Sequence, residues 1–117
     1  MTYRQLMYND YTKYERTSYS SGSAIQNTSG KLKIILINCK LYYGDSCFFY
    51  TDANSNPTTQ VEVLNASLNP DVLSKDIRYI KLASMFAVQP GDYYKYVYTG
   101  TLGGVFKWWE WTFGDIG

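Results

Sequence analysis

Apolar and polar residues alternate along much of this chain, and alternation with a period of two is the pattern of a half-buried β-strand. The clearest case lies between Gly30 and Gly44, where residues 31–43 are rich in β-branched and apolar side chains and predict one long strand. One face of this strand would carry Ile35, Ile37, Cys39, Leu41 and Tyr43. The other face begins apolar and becomes polar from Asn38 onward. We therefore expect a strand that is central at its start and half exposed at its end.

Shorter stretches of the same kind follow, each bounded by turn-forming residues. They are residues 46–51, 58–64, 77–82, 93–99 and 105–113. Outside the N-terminal segment, no stretch sustains a helical period over 11 residues. About seven short strands separated by turns predict an all-β fold, an antiparallel β-sandwich or jelly roll.

The two predicted strands nearest the C-terminus are strongly aromatic. A Pro-Gly-Asp turn at residues 90–92 precedes the first, and a glycine-rich stretch separates it from the second, which predicts a β-hairpin. One face of the first strand carries Tyr94, Tyr96 and Tyr98. One face of the last strand carries Phe106, Trp108, Glu110 and Thr112, and the other carries Val105, Lys107, Trp109, Trp111 and Phe113. One aromatic face can fill the sandwich, and the other is left for a neighbouring subunit, a ligand or the N-terminal segment.

The first 24 residues form a separate compositional unit. They are polar apart from several tyrosines, of which Tyr8, Tyr11 and Tyr14 recur at every third position, and they end in a Ser/Gly link at residues 18–23. We predict an N-terminal docking arm over residues 1–24, extended or short-helical, followed by a β-sandwich domain over residues 25–117. The arm would dock either on its own domain or on a neighbouring subunit.

Composition and charge narrow the classes of function. The 117 residues suggest one domain, and the net charge of +1 gives no global electrostatic attraction for nucleic acid. No apolar run approaches the ~20 residues of a transmembrane helix, so membrane insertion is not expected. The N-terminus has no basic region followed by an apolar core, which favours a cytoplasmic site of synthesis. Histidine is absent, which removes histidine bases and ligands, and we expect no enzyme, no cofactor and no metal.

Cys39 and Cys47 flank Gly44-Asp45 and could face each other across a hairpin. A two-residue turn at Gly44-Asp45 would pair Cys39 with Tyr50, whereas a three-residue loop centred on Tyr43 would pair it with Cys47. Without an export signal, two reduced and buried thiols are expected.

The exposed aromatic side chains suggest two kinds of binding surface. Trp109, Trp111 and Tyr98 could form a platform on which a sugar stacks, or a subunit interface, where tyrosine and tryptophan are enriched. The candidate interface or ligand residues are Tyr8, Tyr11, Tyr14, Tyr98, Trp109 and Trp111. For Trp108 and Glu110 we predict a structural role, a buried ring beside a carboxylate that caps a turn or accepts a tyrosine hydroxyl.

Three motifs occur in a characteristic order. They are Asn27-Thr28-Ser29-Gly30-Lys31 before the long strand, Val88-Gln89-Pro90-Gly91-Asp92-Tyr93-Tyr94 late in the chain, and Trp108-Trp109-Glu110 in the last strand. In order and spacing, over residues 26–111, the chain resembles small phage fibre, tail-tip and head-decoration domains, although the second motif lacks the small residue usual between proline and glycine. The resemblance implies a β-sandwich virion protein, often trimeric, that is placed on a capsid or tail. Together with the N-terminus, it predicts a protein of the virion that is made in the host cytoplasm.

The sequence therefore predicts a phage virion structural protein, a capsid decoration or fibre/tail accessory subunit. Its partners would be other virion proteins, which it would contact through its arm and its aromatic face, and it would be a homo-oligomer. The alternative is a module that binds a host glycan or receptor through the C-terminal aromatic hairpin.

Overall fold

The computed structural model describes residues 11–66, 79–100 and 102–114. These residues contain eight strands and no helix, which confirms the all-β prediction. The strands are β1 (Tyr11–Glu15), β2 (Ile25–Gln26), β3 (Lys33–Tyr42), β4 (Ser46–Asp52), β5 (Gln60–Asn65), β6 (Tyr79–Val88), β7 (Tyr93–Thr99) and β8 (Gly104–Phe113).

The strands form two antiparallel four-stranded sheets. Sheet I has the order β1-β8-β3-β6, and sheet II has the order β2-β7-β4-β5. The first strand pairs with the last, the second with the seventh, the third with the sixth and the fourth with the fifth. The chain is therefore one long hairpin rolled into a sandwich, which is the jelly-roll arrangement.

The β-hairpin predicted across the glycine-rich stretch near the C-terminus is wrong, and the possible hairpin at Gly44-Asp45 is not formed either. β3 and β4 lie in different sheets, and so do β7 and β8, so the glycines carry the chain across the sandwich. The crossing places the aromatic side chains of β7 and β8 face to face, with the rings of Tyr96 and Trp108 packed edge to face at 5.7 Å. A hairpin would have put both strands in one sheet and left these faces without a partner layer. Burial of both faces against each other therefore outweighs the local turn signal.

The core lies between the sheets and confirms the predicted alternation of β3. Ile35, Ile37, Cys39 and Leu41 have no solvent exposure, and β3 pairs on both sides, with β6 and β8. Tyr43, predicted on the same buried face, lies beyond the strand and is 43% exposed. Sheet II contributes Cys47, Phe49, Tyr94 and Tyr96, and sheet I adds Phe86, Val88 and Trp108.

Both cysteines are free and buried, as predicted. Because β3 and β4 belong to opposite sheets, Cys39 and Cys47 meet across the core and not along a hairpin ladder. A hydrogen bond with Cys39 and burial together raise the pKa of the Cys47 thiol. Both thiols are thus packing groups of the core.

The described part of the N-terminal segment is extended. β1 lies before the predicted domain boundary at residues 24 and 25, yet it pairs with β8 at the edge of sheet I. The helical alternative is therefore wrong for residues 11–15. Further along, the Tyr19 ring stacks on Trp108 at 5.3 Å, and the Gly22 amide donates to the Tyr96 carbonyl. Over these residues the segment docks on its own domain.

An irregularity at the start of β8 changes one predicted face. Asn38 is paired with Lys107 and Cys39 with Val105, so Phe106 is an extra residue in β8. As a result Val105 packs against the core and Phe106 is 45% exposed, the reverse of the predicted alternation.

Candidate functional site

A buried carboxylate connects the two sheets. Glu110 on β8 has no solvent exposure, and four donors surround it. Its Oε2 accepts hydrogen bonds from the Tyr94 hydroxyl at 2.8 Å, from Trp108 Nε1 at 2.9 Å and from Arg16 Nε at 2.9 Å. Its Oε1 accepts one from Lys33 Nζ at 2.9 Å. The predicted structural role, a carboxylate that accepts a tyrosine hydroxyl beside a buried tryptophan, is confirmed.

Electrostatics keep this carboxylate ionised. Burial alone would raise the pKa of Glu110, but the hydrogen bonds from Arg16, Lys33 and Tyr94 outweigh it and lower the pKa below its ordinary value. Burial and the neighbouring carboxylate raise the pKa of Tyr94. A carboxylate with a depressed pKa and four donors is a poor base or nucleophile, so this cluster serves to hold strands together.

The first of the three sequence motifs, residues 27–31, forms a second connection, to the motif at residues 88–94. The Asn27 side chain is fully buried, and its Nδ2 donates to the carbonyls of Lys31, Val88 and Gln89 at 2.8, 3.1 and 3.2 Å. Its Oδ1 accepts hydrogen bonds from the Ser29 amide and hydroxyl. The first motif is thereby fixed onto the second, and Tyr94 of the second is fixed onto Glu110 of the third. All three motifs that carry the resemblance close the sandwich.

The outer face of sheet I carries a band of exposed or half-exposed apolar side chains. The strand register places Trp111, Ile34 and Ala87 in one row across β8, β3 and β6. The next row contains Trp109, Leu36 and Met85, and Tyr11 and Phe113 lie beside the first row on β1 and β8. Met85 is 60% exposed and Tyr11 is 45% exposed. We call these eight residues the apolar band.

Lysines border the apolar band on two sides. On its β1 side, Lys13 Nζ lies 4.2 Å from the centroid of a Trp109 ring, and Glu15 forms an ion pair with Lys107 Nζ at 2.7 Å. Beyond the row of Trp109, Leu36 and Met85, Lys40 Nζ lies 4.2 Å from the centroid of the Tyr79 ring and Lys81 Nζ lies 5.3 Å from that of Phe106. An apolar centre with a charged, solvated rim is the usual anatomy of a protein–protein interface.

The structure brings some of the predicted site residues together and separates others. Tyr11, Trp109 and Trp111 share the outer face of sheet I. Tyr14 is on β1 opposite Glu110, at the edge of the sheet, and is 53% exposed. Tyr8 lies outside the described residues.

Tyr98 belongs to sheet II and does not join the two tryptophans, so the predicted sugar platform of three rings is not assembled. Its hydroxyl donates to Asp45 Oδ2 at 2.6 Å and accepts a hydrogen bond from the Gly103 amide at 2.8 Å. Burial and the bond to Asp45 raise the pKa of Tyr98 to about 12. Tyr98 therefore fixes the link between β7 and β8.

Five members of the apolar band were missed as site residues: Ile34, Leu36, Met85, Ala87 and Phe113, of which Phe113 was placed on the right face of the last strand but not among the candidates. The available signal was that β3 is apolar on both faces near its start and that apolar residues occupy alternate positions late in β6. Neither signal shows that these residues lie beside the tryptophans, because that depends on which strands pair.

The described residues hold no group of three His, Cys, Asp or Glu side chains that could bind a metal ion. They also include no helix long and apolar enough to cross a membrane. No model of a known protein family matches the chain, and no curated protein matches its sequence.

Proposed function

We propose that this protein is a structural subunit of a phage particle, a capsid decoration or fibre/tail accessory protein, that docks on neighbouring virion proteins. The apolar band on the outer face of sheet I is the observation that carries the proposal. Extended apolar patches with polar borders mark interaction surfaces. The resemblance of the three closing motifs to phage fibre, tail-tip and decoration domains supports the virion as the place of docking.

The chemistry of the band favours a protein as its partner. Half of it is aliphatic, from Ile34, Leu36, Met85 and Ala87, and aliphatic side chains suit the dry centre of a protein interface. A sugar would stack on open aromatic faces, whereas Lys13 already lies over Trp109 at 4.2 Å. Tryptophan and tyrosine beside this aliphatic surface are the residue types that carry binding energy in protein complexes.

The N-terminal segment would enlarge the same contact. β1 forms the edge of sheet I next to the aromatic half of the band, and its residues Tyr11, Lys13 and Glu15 face the same side as Trp109 and Trp111. Tyr14 lies on the opposite face of β1, the face that Glu110 shares, and is not part of this contact. The partner would therefore touch both the sheet face and β1.

The test is incorporation into particles. A tagged copy supplied during infection is expected to sediment with purified particles in a fixed ratio to the major capsid or tail protein. The double variant Trp109→Ser/Trp111→Ser is expected to keep its far-ultraviolet circular dichroism and to lose at least about tenfold in incorporation, since large aromatic residues dominate interface energies.

The matched control is Tyr50→Ser on the outer face of sheet II. Tyr50 is also partly exposed and also has a lysine over its ring, Lys95 at 5.3 Å, so it reproduces the chemistry on the other sheet. Incorporation should be unchanged. The proposal is contradicted if the wild-type protein is absent from particles, or if the control loses as much incorporation as the double variant.

A saturable change of tryptophan fluorescence with a cell-surface glycan would instead favour a receptor-binding module.

A further inference from the structure

Sheet I ends in an unusually regular edge strand. β6 is ten residues long and pairs with β3 at ten consecutive positions without a register shift. Within residues 11–66, 79–100 and 102–114, no strand pairs with its other side. Half of its backbone amides and carbonyls therefore point away from β3, in the pattern that another strand would match.

The other three sheet edges are short or interrupted. β1 has five residues and carries Lys13 and Glu15, β2 has two residues, and β5 has six residues with a register shift against β4. Short strands, charges and bulges are the devices by which proteins prevent pairing at sheet edges. β6 has none of these interruptions, and Lys81 is its one charged residue.

We propose that β6 pairs antiparallel with β6 of a second copy of this chain across a two-fold axis. A strand that pairs with its own copy in this way is self-complementary, as a two-fold interface requires. With the axis at Met85, the two copies of Met85 lie opposite each other, and Lys81 lies opposite position 89 of the second copy, just beyond the end of its β6 and away from its lysine. The side-chain alternation is kept, so Phe86 and Val88 stay in the core and Met85 stays outside.

The pairing would unite sheet I of both copies into one eight-stranded sheet, since each contributes four strands. The two apolar bands would then form one surface that spans both protomers. This inference goes beyond the proposed docking on virion proteins, because it uses a strand edge and a second copy of the chain. Either can fail without the other.

Mass measured against concentration tests the pairing. Sedimentation equilibrium of the full chain is expected to show a species of twice the 13.5 kDa chain mass. Met85→Lys puts a lysine from each copy close to the axis, and like charges opposite each other in a ladder are unfavourable. We expect the dissociation constant to rise at least about tenfold. Val61→Lys, at a position 42% exposed on β5, is the matched control and should leave the dimer intact.

Hydrogen exchange separates edge pairing from contact through the sheet face. In the dimer, alternate β6 amides, those that point away from β3, should exchange slowly and become fast in Met85→Lys. Trp111→Ser, on the outer face, should leave both mass and exchange unchanged. A monomer at all concentrations, or a trimer, would overturn the inference. So would a dimer that Trp111→Ser dissociates and in which the alternate β6 amides exchange fast.

Discussion

At the scale of single residues, Glu110 matters most for stability. Its carboxylate is fully buried and receives two cationic and two neutral donors, from Arg16, Lys33, Tyr94 and Trp108. A buried ion pair gains little over a well-packed apolar core, but loss of one partner leaves the others desolvated and uncompensated. Removal of the carboxylate charge should therefore be costly even when the shape of the side chain is kept.

We expect Glu110→Gln to lower the free energy of unfolding at pH 7 by about 3 kcal/mol, because Arg16 and Lys33 would lose their counter-charge. Urea unfolding followed by tryptophan fluorescence measures this loss. The folded pKa of Glu110 is lowered, so its stabilisation is complete above the unfolded pKa of about 4.3 and is lost as the pH falls through the folded value. The difference between wild type and variant should therefore shrink in acid.

Glu15→Gln is the control for this comparison. Glu15 also forms an ion pair, with Lys107 at 2.7 Å, but the two side chains are 34% and 45% exposed, so its loss should cost at most about 1 kcal/mol. Equal losses in the two variants, or a Glu110→Gln difference that does not change with pH, would contradict the assigned role of the buried carboxylate.

At the scale of elements, the turn that follows β2 holds the turn between β6 and β7. Asn27 supplies three donor contacts to backbone carbonyls from its own turn and from residues 88–89, and the Gly91 amide donates to the Asn27 carbonyl. These contacts join segments about sixty residues apart in the sequence. One amide side chain therefore holds together the β2–β3 and β6–β7 connections, which lie at the same end of the sandwich.

Asn27→Ala is expected to lower the free energy of unfolding by about 2–3 kcal/mol, because it leaves the buried Val88 carbonyl without this donor. Chemical denaturation measures the loss. Gln26→Ala is the control, since its single side-chain bond to the Gly91 carbonyl is solvent-exposed and its removal should change stability by about 0.5 kcal/mol or less. A stability loss in Gln26→Ala as large as that in Asn27→Ala would show that the buried amide has no special role.

At the scale of the whole molecule, the two cysteines and the aromatic rings around them pack together in the core between the sheets. Cys39 belongs to sheet I and Cys47 to sheet II, and neither has any solvent exposure. A reagent can reach them only when the sheets separate. Their reactivity therefore reports opening of the entire fold.

We expect both thiols to react with a chromogenic aromatic disulfide at one slow rate in native buffer, because burial blocks access and the raised pKa of Cys47 suppresses its thiolate. The rate should rise with urea in proportion to the unfolded population. A Ser55→Cys variant, with the new thiol in an exposed loop, should label within the mixing time. Fast labelling of Cys39 or Cys47 in native buffer would contradict the closed core.

Local pattern was enough to predict much of the secondary structure. The inward faces of β3 and β7 follow the alternation of Ile35, Ile37, Tyr94 and Tyr96, because strand geometry turns each successive side chain to the opposite face. The Trp108–Glu110 contact was also predictable, since residues two apart share a face. The bulge at Phe106 and the partners Arg16 and Lys33 were not, because they depend on strands distant in sequence.

Alternation and composition along the chain were sufficient to predict a sandwich of short strands, one of them aromatic on both faces. The pairing of distant strands, by contrast, places the aromatic strands β7 and β8 in opposite sheets and separates Tyr98 from Trp109 and Trp111. The same pairing brings Leu36 and Met85 into the apolar band. The reason is physical: alternation sets which way a side chain points, whereas strand pairing is set by burial of whole faces between residues far apart in the chain.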